Sequence, residues 1–153
     1  MITIADILHP EDIDLDLKTF NLEEAVNHVA SLLKEDDRIT DWNAFYNGLS
    51  SQQPCLADAG GTELCIPHTR TNSVTGMVMS VGCSRAGIVV PDAEWPIHFI
   101  FVIGVPVALA ADYLRIIGAL TRIFKDPAAK EHLRRTRTAE DFLQLLVSGE
   151  MKL

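Results

Sequence analysis

The stretch Gly60-Gly61-Thr62-Glu63-Leu64-Cys65-Ile66-Pro67-His68-Thr69-Arg70 decides how the rest of the chain is read. Two glycines open it and permit backbone conformations closed to other residues. A short run of strand character follows, then a proline, which removes a backbone donor and stiffens the exit. His68 comes next, where a strand ends. An imidazole held there presents one ring nitrogen to solvent or to a docked partner. Half-protonated near neutral pH, it can serve as nucleophile, general base or metal ligand. The dipeptide alone leaves a second reading open, a loop histidine that merely follows a proline.

Composition bounds what surrounds this stretch. At 153 residues and 48% hydrophobic content, the chain reads as one domain over 1–153 with a sizeable core. A formal charge of −8 argues against nucleic acid, which needs a basic surface. Cys55, Cys65 and Cys83 cannot all pair within one molecule and lack zinc-ligand spacing, so they read as thiols of a reducing compartment. The start lacks a basic region followed by an apolar run. The most apolar stretch, from Phe99 to Ala111, carries a glycine and a proline and is too short for a bilayer. The expectation is a soluble, cytoplasmic protein without membrane insertion.

Strand and helix signals alternate along the chain. Ile13, Leu15 and Leu17 alternate with Asp14, Asp16 and Lys18, as in a half-exposed strand. Asn21 caps a helix to about Leu33, with His28 on its solvated side, and Thr40 or Asp41 caps a second through Leu49. Val74 to Cys83 and Ile88 to Val90 read as two strands joined by a turn at Ser84-Arg85-Ala86-Gly87. Pro96 to Gly104 reads as a central strand, apolar on both faces, with His98 a satisfied core histidine. A long helix from about Ala108 to Phe124 precedes one opened by Pro127, whose basic end Arg134-Arg135-Thr136-Arg137 suits the helix dipole. Thr138 caps a last helix. This alternation places the chain in the α/β class.

The run Gly61 to His68, read as glycine, two variable residues, then Leu64-Cys65-Ile66-Pro67-His68, resembles the phosphorylation motif of the enzyme IIA domains of the bacterial sugar phosphotransferase system. The likeness is to the mannitol/fructose class and its nitrogen-regulatory relatives, and it extends from Ile7-Leu8-His9-Pro10 to Phe142-Leu143-Gln144-Leu145-Leu146. It implies a single domain with a mixed central sheet flanked by helices on both faces. It also implies a phosphohistidine at His68, received from an HPr-like phosphocarrier protein and passed to an enzyme IIB partner or held as a regulatory mark. Thr69 and Arg70 would supply contacts to the phosphoryl oxygens.

The chain departs from the family pattern at several places. Tyr113 stands where many members carry a second histidine, and Gln52 where they carry an arginine. Thr69 replaces a smaller residue, and Cys65 an alanine. Tyr113 and Gln52 donate hydrogen bonds but bring no positive charge, and Arg70 is positioned to replace one lost cation. Tyr113 would bond either a phosphoryl oxygen or the His68 ring, or else belong to the core with Leu109, Ile116 and Leu120. Two functions follow: a phosphotransferase component, or a regulatory binding module that keeps the fold and acts by contact with a target protein. A metal-dependent enzyme built on His68 and His98 lacks ligand spacing, so neither metal nor cofactor is expected.

Overall fold

A computed structural model describes residues 1–50, 63–91 and 96–152. In chain order it runs through α1 (Ile4–Ile7), a 3₁₀ turn (Pro10–Asp12), β1 (Ile13–Asp14), α2 (Leu22–Ser31) and α3 (Trp42–Ser50). Then come β2 (Leu64–Cys65), β3 (His68–Arg70), β4 (Val78–Ile88) and β5 (Ile97–Val105). A second 3₁₀ turn (Val107–Leu109) leads into α4 (Ala110–Lys125), α5 (Pro127–Arg135) and α6 (Ala139–Met151). The helix starts are those the sequence signals. Asn21, Asp126 and Thr138 accept the amides of Glu24, Ala128 and Asp141, and Asp41 rather than Thr40 accepts that of Ala44.

Every residue of β5 is buried, so both faces of this strand are covered. It pairs antiparallel with β4 on one side and parallel with β2 and then β3 on the other, while β1 runs parallel to β4. The sheet is therefore mixed, as the family resemblance implies. Phe99, Phe101, Ile103 and Val105 face a core formed with α1, α4 and α6. Phe99 meets the Phe124 ring tilted at 4.8 Å, and Phe101 meets the same ring edge-on at 5.5 Å. Ile100 and Val102 face the opposite core, with Ala25, Val29 and Leu33 of the α2 region and Phe45 of α3.

Three expectations are corrected. The segments read as two strands and a turn are one strand, β4, whose register breaks between Cys83 and Ile88. A bulge absorbs the turn-like residues, with Gly87 at φ 84°. His28 is not merely solvated, because its Nε2 lies 2.7 Å from Asp14 Oδ2, a residue of β1. Cys65 is not a thiol but disulfide-bonded, and Cys83 is the free cysteine among the described residues. Burial pushes the Cys83 thiol up to about 11, which keeps it protonated at neutral pH. No helix among the described residues is long and apolar enough to cross a membrane.

Two glycines let the helices sit directly on the sheet. A Cβ at Gly82 would lie 2.4 Å from a Val29 methyl, and one at Gly104 would lie 2.5 Å from the Phe45 ring. Phe45 is wholly buried and has no room to retreat. Gly104→Ala is expected to cost about 1–3 kcal/mol through overpacking, measured by urea denaturation.

Candidate functional site

His68 opens β3 directly after Pro67, and its place is set by pairing with Ile103 of the fully buried central strand. The parallel ladder runs through Leu64 and Cys65, lapses at Ile66-Pro67, and resumes at His68. In that gap the Ile66 carbonyl lies 3.0 Å from His68 Nδ1. A carbonyl only accepts, so the neutral imidazole carries its proton on Nδ1 and its lone pair on Nε2. The ring is half-buried and lines a cleft of about 280 Å³ with Arg70, Val105, Ala110, Tyr113 and Leu114.

Side-chain alternation along β3 sorts the expected site residues. His68 and Arg70 share the cleft. Arg70 is exposed, and no ion pair holds it among the described residues. Thr69 faces the other way: it is buried, and its hydroxyl stands 2.5 Å from where a Cβ on Gly48 would be. The Thr69 hydroxyl therefore packs under α3 and not beside His68. Gln52 lies outside the described residues.

Tyr113 comes from the first turn of α4, and its ring packs on the His68 ring at 5.1 Å with a 32° tilt. It makes no hydrogen bond to the imidazole. Of the alternatives for Tyr113, the bond to the His68 ring is not made, and the Ile66 carbonyl holds Nδ1 instead. Burial pushes the Tyr113 hydroxyl up to about 12, so it stays neutral at physiological pH. The Tyr113 ring packs against the core, as one alternative had it, and also walls the cleft.

Sequence reasoning missed a charged anchor just upstream. Glu63 is a non-glycine residue at φ 65°, a left-handed conformation that the surroundings must hold. Its carbonyl accepts the amides of His98 and Phe99. Its carboxylate accepts from Lys130 Nζ at 2.6 Å and Arg134 Nη2 at 2.7 Å, and also contacts His98 Nδ1. Of the basic end of α5, Arg135 and Arg137 are solvent-exposed, as the sequence reading has it, while Arg134 is drawn inward. Arg134 binds Glu63, and Arg85 of β4 caps its C-terminal carbonyls at Arg134 and Thr136. Burial raises the Glu63 carboxyl, but the Lys130 hydrogen bond and the charges of Arg134 and Lys130 outweigh it and hold the group below the usual range. Burial and the Arg134 charge together lower the His98 pKa.

Residues 6–149 match the family described as phosphoenolpyruvate-dependent sugar phosphotransferase system, EIIA 2. The chain belongs to this family. Among curated EIIA relatives, the fructose-specific EIIA component of Haloferax volcanii is 28% identical over 149 residues, covering 94% of this chain and 96% of the relative. The fructose-specific EIIABC component of Bacillus subtilis is 17% identical over 94% of this chain, which spans only 23% of that longer protein. The nitrogen regulatory protein IIA-Ntr of Neisseria meningitidis superposes with a TM-score of 0.79 at 22% identity, covering 94% of this chain and 98% of that one. The IIA mannitol domain of Escherichia coli, solved in complex with phosphorylated IIB, gives a TM-score of 0.69 at 19% identity, covering 92% and 97%. The IIA fold is common to all of these structures.

The Glu63 anchor fixes the entry to the strand that carries the EIIA motif. Glu63→Gln is expected to cost about 1–3 kcal/mol, because two cations lose their carboxylate but both still reach water. The depressed carboxyl contributes stability above its usual pKa of 4.5 that is lost as pH falls through its lower folded value. Lowered His98 adds a loss that begins as pH falls through 6.5. Below pH 4.5, where the carboxyl titrates, thermal melts should therefore fall less steeply in Glu63→Gln than in the parent, whereas between pH 7 and 5 they should fall at least as steeply, because His98 loses the Glu63 charge that holds its pKa up.

Proposed function

We propose that this chain, as a single phosphotransferase domain over 1–153, accepts a phosphoryl group on His68 Nε2 from a histidine-phosphorylated, HPr-like carrier and passes it to a IIB partner. The observation that supports this most directly is the Ile66 carbonyl on Nδ1, which leaves the Nε2 lone pair directed away from the strand. In the transfer, Nε2 bonds the phosphorus while the carrier's phosphorus–nitrogen bond breaks, and the carrier's imidazole leaves with the electron pair. The phosphoryl group keeps its three equatorial oxygens throughout, and they need positive charge or donors in the transition state.

Arg70 supplies that charge. It stands on the same face of β3 as His68, two residues along, with its guanidinium uncommitted to any carboxylate among the described residues. Tyr113 contributes a flat apolar wall that restricts the imidazole ring, and its neutral hydroxyl is a donor for one phosphoryl oxygen. The exposed side chains Val107 and Leu114 border the cleft-forming segment and give a docking protein apolar surface. The relative solved with phosphorylated IIB and the fructose-specific EIIA relative support transport-type relay; the likeness to IIA-Ntr supports the alternative, a phosphorylation-dependent regulator of a target protein.

The deciding experiment incubates the protein with phosphoenolpyruvate, the general phosphotransferase enzyme and its phosphocarrier. Acid-labile label on the parent and none on His68→Ala is the expected result; acid-stable label, or label on the variant, would sink the reading. Arg70→Ala should slow transfer by roughly tenfold to a hundredfold, less than the loss of a donor in a water-excluded site because Arg70 is exposed, with the melting temperature nearly unchanged. Tyr113→Phe should fold normally and slow transfer by less than Arg70→Ala, since it removes one neutral donor and keeps the ring contact.

A further inference from the structure

Near the start of the chain, three metal-ligating side chains converge outside the His68 cleft. The 3₁₀ turn Pro10–Asp12 begins at His9, and the Asp12 amide donates to the His9 carbonyl at 2.9 Å. Residues three apart eclipse in this geometry, which brings His9 Nδ1 within 3.7 Å of Asp12 Oδ2. Asp36, from the turn after α2, completes the group, and one donor atom from each residue lies within 4.8 Å of the others.

Asp12 is the observation that separates this cluster from a surface acidic patch. Its side chain is only 8% exposed. Its carboxylate accepts no hydrogen bond from any described residue, whereas buried carboxylates ordinarily have donors. Glu11 and Asp36 add like charge around it, and His9 and Arg38 are the groups of opposite influence. Arg38 is already committed to Asp36. Its amide and Nε donate to Oδ1 at 2.9 and 3.0 Å, and its Nη2 donates to Oδ2 at 2.7 Å. Arg38 is itself fixed by donating to the Met77 carbonyl at 2.9 Å. Asp36 is therefore aimed by an outer-shell partner, as metal-bound carboxylates are, and Oδ2 keeps a lone pair.

We propose that His9, Asp12 and Asp36 bind a divalent cation of the zinc class. One imidazole and two carboxylates form a mixed nitrogen–oxygen donor set, which suits zinc and its transition-metal neighbours better than magnesium or calcium, whose sites are built from oxygen. The donor atoms lie within 4.8 Å of one another, against the roughly 3.3 Å between neighbouring ligands of a tetrahedral zinc, so binding draws the side chains inward. The cation supplies a close partner for the Asp12 carboxylate, which otherwise has only His9 Nδ1 at 3.7 Å. It also ties the N-terminal segment to the turn after α2, whose Arg38 carbonyl accepts the Thr75 amide before β4. The role is structural, and it is independent of phosphoryl transfer at His68.

The test is calorimetric titration of metal-free protein with Zn²⁺, with Mg²⁺ as comparison, alongside thermal melts. One saturable Zn²⁺ site is expected, with a melting temperature raised by several degrees at saturating metal and little response to Mg²⁺. Asp12→Asn and His9→Gln should each weaken binding by roughly tenfold or more and abolish the thermal shift. His28→Gln, which removes the exposed His28–Asp14 pair, should leave both unchanged. Asp12→Asn removes charge without changing volume; should it fail to fold, His9→Gln, at a half-exposed position, carries the test. Absence of saturable binding, or binding by His9→Gln and Asp12→Asn at parental affinity, overturns the proposal. Loss of Zn²⁺ binding only in His28→Gln overturns it equally.

Discussion

The site depends on how residues 64–70 lie along Ile97–Val105. The central strand is covered on both faces, so it has no freedom to slide or tilt without opening a core. Leu64 and Cys65 pair with Phe99 and Ile100, and after the gap His68, Thr69 and Arg70 pair with Ile103, Gly104 and Val105 in unbroken register. The gap arises at Pro67, which has no amide to donate. Pro67 still accepts from the Ile103 amide at 3.0 Å, so the strand is not released there. The Ile66 carbonyl, left without a ladder partner, holds the imidazole. The gap at Pro67 thus lies beside the imidazole, whose Nδ1 is held by the neighbouring Ile66 carbonyl on the open edge of the sheet.

Charge is distributed unequally along this edge of the sheet. At its start, Glu63 gathers Lys130, Arg134 and His98 into a shielded cluster that joins α5 to the sheet. At its end, Arg70 reaches solvent beside His68. The first arrangement resists exchange because the carboxylate has little access to water, and it holds the strand. The second leaves a cation available for an incoming anion, and a solvated guanidinium costs the fold little. Both follow from burial: the α5 cations are covered by the helix they belong to, while Arg70 sits on the open side of β3.

Much of the architecture was legible from the residues. The β5 run announced a strand buried on both faces, Asn21 and Thr138 marked helix starts because a side-chain oxygen can satisfy an amide that the helix leaves open, and Pro127 marked a third because its missing amide costs nothing there. The Pro-His dipeptide located the candidate nucleophile. Local chemistry governs each of these features, so local sequence carries them. The β4 segment misled because Ser84 and Gly87 also serve a bulge, and only pairing to β5 distinguishes a bulge from a turn.

Tertiary structure decided what lies on which side of a strand and which distant groups meet. Thr69 looked equal to Arg70 in sequence, but alternation sends its hydroxyl under α3 once His68 faces the cleft. Glu63 occupied a position free to vary in the motif, and the partners that make it an anchor lie 67 and 71 residues onward, or across the sheet at His98. Tyr113 was assigned to the site or to the core, and the packing of α4 makes it a wall shared by both. The sequence by itself determined the central strand, the helix starts and the candidate nucleophile, since these rest on interactions between near neighbours. Which nitrogen is free, which cation is available and which carboxylate is buried depend on chain segments brought together by the sheet, and no local pattern encodes those meetings.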